Sequence, residues 1–75
     1  MLRLGEEKEL ARGTKKAWGH EIEKVQLTKW MPTGEYQVMG LCADYAEDGT
    51  RLGARGWCTL FGGTLKEARA YAEAL

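Results

Sequence analysis

The residues able to do chemistry in this 75-residue chain are few: two cysteines, Cys42 and Cys58, and one histidine, His20. A zinc site built on them would need a fourth ligand. Such sites usually display close ligand pairs of the C-x2-C kind, and none occurs. Nucleophilic catalysis would need Cys42 or Cys58 beside His20 with a third, orienting group. The chain contains no Ser and no Asn, which removes a serine nucleophile and an N-glycosylation site. The carboxylate pairs Glu21/Glu23 and Glu47/Asp48 read as solvated faces or turn residues. Gly53-Ala54-Arg55-Gly56 lacks the length and the Lys-Ser/Thr ending of a phosphate-binding loop and reads as a strand whose glycines permit a bulge. These readings give no catalytic residue, no metal site and no cofactor, so the sequence is read as non-enzymatic.

The set that remains is aromatic and basic: Trp30, Tyr36, Arg51, Arg55, Trp57 and Phe61. Arg, Trp and Tyr dominate binding hot spots, because each offers a large contact surface and a directed polar or cationic tip. The same types stack on bases and pair with phosphate or guanine. The alternative is structural: an aromatic ladder that stabilises a small sheet, with Arg stacked on Trp57.

What must position that set is a single small domain, 1–75. Apolar residues make up 44% of the chain and charged residues 29%, a globular balance. A chain of this size buries only about 60% of its unfolded surface, so it is marginal alone. The C-terminal helix is the clearest element. Gly62-Gly63 interrupts the preceding run, and Thr64-Leu65-Lys66-Glu67 forms a capping box that opens a helix over 64–75. Leu65, Ala68, Tyr71, Ala72 and Leu75 then fall on one face.

Ahead of it the pattern predicts three antiparallel strands within 23–61, roughly Glu23–Met31, Glu35–Ala46 and Thr50–Phe61. Asp48-Gly49 reads as a two-residue hairpin loop pairing Glu47 with Thr50. Pro32-Thr33-Gly34 reads as a three-residue loop pairing Met31 with Glu35, with Gly34 left-handed. Those loops set the register. They place Val25, Leu27, Met39, Leu41, Ala43, Tyr45, Leu52, Ala54, Cys58 and Leu60 on a face for the helix to cover. They leave Trp30, Tyr36, Trp57, Phe61, Val38, Cys42, Arg51 and Arg55 on the other, with Trp57 lying across Gly40 and Asp44 nearby. Cys42 and Cys58 fall on opposite faces, which argues against a shared metal and a direct disulfide.

The expected architecture is therefore α+β: a three-stranded antiparallel sheet with one C-terminal helix packed on one face (βββα). Residues 1–22 carry no firm element. Met1–Leu4 reads as a short strand, Glu6–Arg12 as a helical turn, and Trp18 and Ile22 as a flap over the aromatic face.

Residues 36–75 resemble the small βββα modules of AP2-type DNA-binding domains and integrase arm-binding domains. The Asp48-Gly49 turn, Trp57, Phe61, Thr64, Glu67-Ala68 and Ala70-Tyr71 carry the likeness. The resemblance implies a sheet face inserted in the DNA major groove, with Arg51, Arg55 and Trp57 as DNA contacts. Charge points elsewhere. Eleven basic residues balance eleven acidic ones, whereas dedicated nucleic-acid binders carry a basic excess. The favoured partner is thus a protein, with homodimerisation through the same face as a variant. In size and compactness alone the chain resembles small phage or mobile-element proteins that inhibit a host machine, anti-CRISPR proteins among them. No apolar run approaches the ~20 residues of a membrane helix, and Met1-Leu2-Arg3-Leu4-Gly5 runs straight into charged residues, so the expected compartment is cytoplasmic and no membrane partner is expected.

Overall fold

The structure is a computed structural model that describes residues 1–11, 16–17 and 20–75, with the side chains of Lys16, Ala17 and Ala54 left aside. Among the described residues there are five strands and one helix: β1 (Glu7–Glu9), β2 (Lys16–Ala17), β3 (His20–Trp30), β4 (Glu35–Tyr45), β5 (Arg51–Gly63) and α1 (Leu65–Glu73). The sheet is antiparallel in the order β1-β3-β4-β5, with β2 also pairing with β3. It is mostly sheet with one C-terminal helix, as expected, but five strands replace three. None of the described helical residues forms a segment long and apolar enough to cross a membrane.

The helix forms as its sequence dictates. Thr64 is the N-cap: its hydroxyl accepts from the Glu67 amide at 3.2 Å, and the Glu67 carboxylate accepts from the Thr64 amide at 3.1 Å. Donation to the Glu67 carboxylate from the Thr64 amide, and then from its hydroxyl at 2.9 Å, holds that carboxyl below its usual value. Ala68 and Ala72 are fully buried against the sheet, and Phe61 stacks on Tyr71 with ring centroids 4.9 Å apart. The alanines let the helix sit close to the strands, so the largest buried side chains, Val25, Leu27 and Val38, form the floor of the core. Each stabilises the fold by roughly 1.5–3 kcal/mol through burial.

Both hairpin loops are one residue longer than their sequences suggest. Trp30 pairs with Glu35, so Met31 to Gly34 form a four-residue loop. Ala46 is bonded to Thr50, so Glu47 to Gly49 form a three-residue loop. Gly34 and Gly49 both take positive φ, +74° and +89°, which closes each loop without a Cβ clash.

A one-residue change reverses the face of every side chain on the returning strand. Leu27 is therefore opposite Val38, and Val25 opposite Gly40. Val38, Tyr36, Phe61 and Cys42, expected on the aromatic face, lie on the helix side, while Met39 and Leu41 lie on the other. Two further irregularities, between Val38 and Met39 and between Cys42 and Asp44, add residues to β5. Leu41 consequently stands opposite Trp57. The expected separation of Trp57 from the aliphatic face does not occur, because these two side chains share one side. Gly40 is covered by Leu60 and Ile22 instead of by Trp57.

The N-terminal segment behaves differently from each expectation. Met1–Leu4 is not a strand, and Glu7–Glu9 is a strand where a helical turn was expected. Leu2 is buried in the core. Its amide donates to Glu73 at 2.8 Å, its carbonyl accepts from Arg69 at 3.0 Å, and Lys8 donates to the Leu75 carbonyl at 2.7 Å. The segment thus ties the C-terminal end of the helix to the sheet edge. Ile22 packs on the helix side of the sheet, not over Trp57, and Trp18 lies outside the described residues.

Candidate functional site

The six residues singled out by type do not gather on one face. Tyr36 and Phe61 pack against the core under the helix, and Lys29 places its ammonium 5.4 Å from the Tyr36 ring centre. Trp30 and Trp57 point to the uncovered face, 52% and 42% exposed. They are well separated, since Trp30 pairs with Glu35 whereas Trp57 pairs with Leu41, six positions farther along β4. Arg51 is exposed opposite Tyr45 near the hairpin end.

Arg55 is occupied internally. Its guanidinium donates to Glu23 at 3.0 Å, and the Tyr45 hydroxyl donates to the other oxygen of the same carboxylate. Glu23 sits in the register shift of β3, between Ile22 and Lys24. One carboxylate therefore joins β3, β4 and β5. These groups, with Glu9, Leu10 and Lys24, line an open pocket of about 230 Å³. Arg55, which the sequence assigned to recognition, is thereby joined to β3 and β4.

The edge of the sheet is the more consequential feature. β5 is thirteen residues long and, among the described residues, pairs only with β4. Most of it is exposed, including Leu52 at 53% and Trp57. A long unpaired edge offers a row of backbone donors and acceptors to another strand. Its only charged residues are Arg51 and Arg55, and Arg55 is drawn toward Glu23. Gly53, at φ +72°, lies in the irregular stretch of β5 between the Leu52 and Gly56 pairings and bends the strand there.

The cysteines hold the second surprise. The actual register puts Gly40 opposite Cys58 and Cys42 opposite Gly56. Cys42 and Cys58 therefore share a face, contrary to the expectation that the sheet separates them. Both line an open pocket of about 190 Å³ with His20, Ala43, Asp44 and Gly56. His20 Nδ1 is hydrogen-bonded to Asp44 Oδ1 at 2.6 Å, so Asp44 also lies away from the proposed reading face. Burial first, and then the hydrogen bond and charge of Cys58, push the Cys42 thiol up to about 11. Among the described residues, no group of three or more His, Cys, Asp or Glu side chains could hold a metal ion. The sequence named every member of this pocket and hid their grouping, because the grouping depends on strand parity.

No protein-family model matches the chain, and no curated protein or solved structure matches it.

Proposed function

We propose that this chain is a non-enzymatic protein-binding module that captures an extended segment of a partner along the free edge of β5. The observation that carries the reading is that edge itself: thirteen residues with one bonded neighbour among the described residues, carrying the exposed side chains of Leu52 and Trp57. A strand added there would complete the ladder with main-chain hydrogen bonds, and contact with the exposed Trp57 indole would supply selectivity. The balanced net charge fits a protein partner better than a polyanion. Trp57 is the anchor in this reading and Arg55 is not, since its guanidinium is held by Glu23.

The second reading, duplex DNA read by the uncovered sheet face as in AP2-type domains, draws support from the exposed Trp57 and Trp30 on that face. Affinity capture from nuclease-treated extract separates the two. Under the protein-binding reading, wild type retains a partner after nuclease treatment, and the Trp57→Ala and Leu52→Lys variants lose it at unchanged thermal midpoint. Retention by both folded variants would overturn it. Binding to mixed duplex DNA that weakens steeply with salt would establish the alternative instead.

A further inference from the structure

The thiol pocket supports an activity that does not depend on the protein-binding reading. Gly40, Cys58, Cys42 and Gly56 form two consecutive facing pairs on one side of β4 and β5. The cysteines occupy one diagonal of that quartet and glycines the other. Across that diagonal the Cys42 thiol interacts with the Cys58 side chain by a hydrogen bond, and both line the same pocket. At Gly56 no atom lies within 4 Å of where a Cβ would stand, so nothing intrudes from that corner. Cys42 is buried, with its sulfur 3.7 Å from the Gly40 carbonyl, and Cys58 is half-buried at the pocket wall. The two thiols thus differ in access while remaining neighbours.

We propose that Cys42 and Cys58 form a redox-active dithiol whose substrates are low-molecular-weight disulfides of the glutathione type, and that it closes to an intramolecular disulfide between β4 and β5. Cys58, the accessible member, attacks as thiolate. Its sulfur bonds to one sulfur of the external disulfide, the external S–S bond breaks, and one small thiolate leaves and takes up a proton. Cys42 then releases its proton to water and attacks the Cys58 sulfur. The mixed S–S bond breaks and the second small thiolate leaves, protonated in turn. The protein dithiol is oxidised by two electrons and the external disulfide is reduced to two thiols. The order follows from the environment. The buried Cys42 is held protonated in part by Cys58, and that influence is relieved once Cys58 carries a neutral mixed disulfide.

The test incubates the reduced protein with glutathione buffers of graded oxidation, quenches by alkylation, and reads intact mass and non-reducing electrophoresis. The wild type should become a monomer with no alkylatable thiol and no glutathione adduct. Cys42→Ser should accumulate a glutathione adduct on Cys58, and Cys58→Ser should react roughly tenfold more slowly or less, as expected for a buried thiol. The folded wild type should also form its disulfide at a buffer ratio roughly tenfold more reducing than the same chain in denaturant, because folding places the thiols together. A disulfide-linked dimer, a persistent adduct on wild type, or equal oxidation of folded and denatured chains would overturn the proposal. The wild-type measurements decide the matter even where a serine variant fails to fold.

Discussion

The two ends of the helix-side sheet face make an instructive contrast. At one end Leu27 and Val38 lie under Ala68 and Ala72, fully buried, with Phe61 stacked on Tyr71. At the other, the same face ends in Cys42, Cys58, His20 and Asp44 around an open pocket. Length explains the difference. Nine helical residues span about 14 Å at 1.5 Å each, whereas thirteen strand residues reach roughly 40 Å even with the irregularities. The helix can roof only part of the strands. Beyond its reach the sheet relies on polar bracing instead, chiefly Glu23 with Tyr45 and Arg55, and His20 with Asp44. One end is held by packing and the other by directed polar contacts.

Substitutions can break or sharpen this contrast. The largest effect is expected at Leu27→Ala, which removes the largest fully buried side chain beneath the helix. A loss of about 2–5 kcal/mol is expected, enough to unfold much of so small a domain, and chemical denaturation would measure it. Gly40→Ala comes next, since its Cβ would stand 2.7 Å from a Leu60 methyl and 3.3 Å from Ile22. Crowding of that kind costs about 1–2 kcal/mol. Gly56→Ala, with open space around it, should leave the denaturation midpoint nearly unchanged, and equal effects at the two glycines would erase the contrast.

Thr64→Ala should cost about 1 kcal/mol by removing the N-cap acceptor, read as a lower thermal midpoint. Acid should weaken the same cap. The Glu67 carboxyl is depressed in the folded chain, so its stabilisation is fully present above the unfolded carboxylate value and is lost as pH falls through the folded one. Glu67→Gln should flatten that part of the helical circular-dichroism profile against pH. The smallest effect is expected at Leu52→Ala, an exposed position on β5, where stability should change by less than about 0.5 kcal/mol.

The parts of the fold that were legible in the sequence are the ones fixed locally. The capping box and the apolar stripe of the helix lie within twelve residues, 64 to 75; the box appears as read, and Leu65, Ala68, Ala72 and Leu75 pack on the core while Tyr71 is exposed and the helix ends at Glu73. The existence of three long strands was also legible, because turn residues separate their apolar runs. Loop length was not. Pro32-Thr33-Gly34 and Asp48-Gly49 mark where the chain turns, but each loop enlists one more residue, Met31 and Glu47. The register followed the wrong parity as a result, and the six-residue aromatic–arginine face dissolved with it. β1 was hidden for another reason. Glu7–Glu9 carries no apolar alternation and becomes a strand only because β3 offers it an edge, with Lys8 facing Val25. The pairing of Arg55 with Glu23 was hidden because the two lie 32 residues apart, out of reach of any local pattern.

The strap across the helix has an architectural consequence. The first ammonium lies 3.9 Å from Glu73, and Lys8 reaches the Leu75 carbonyl, so the two chain ends meet on one side of the molecule. A circular permutant, joined there by a short flexible linker and reopened in the Met31–Gly34 turn, would keep the sheet and its helix roof intact. Fusion of a reporter at either end would then sit beside α1, leaving the far tips of β4 and β5 unobstructed.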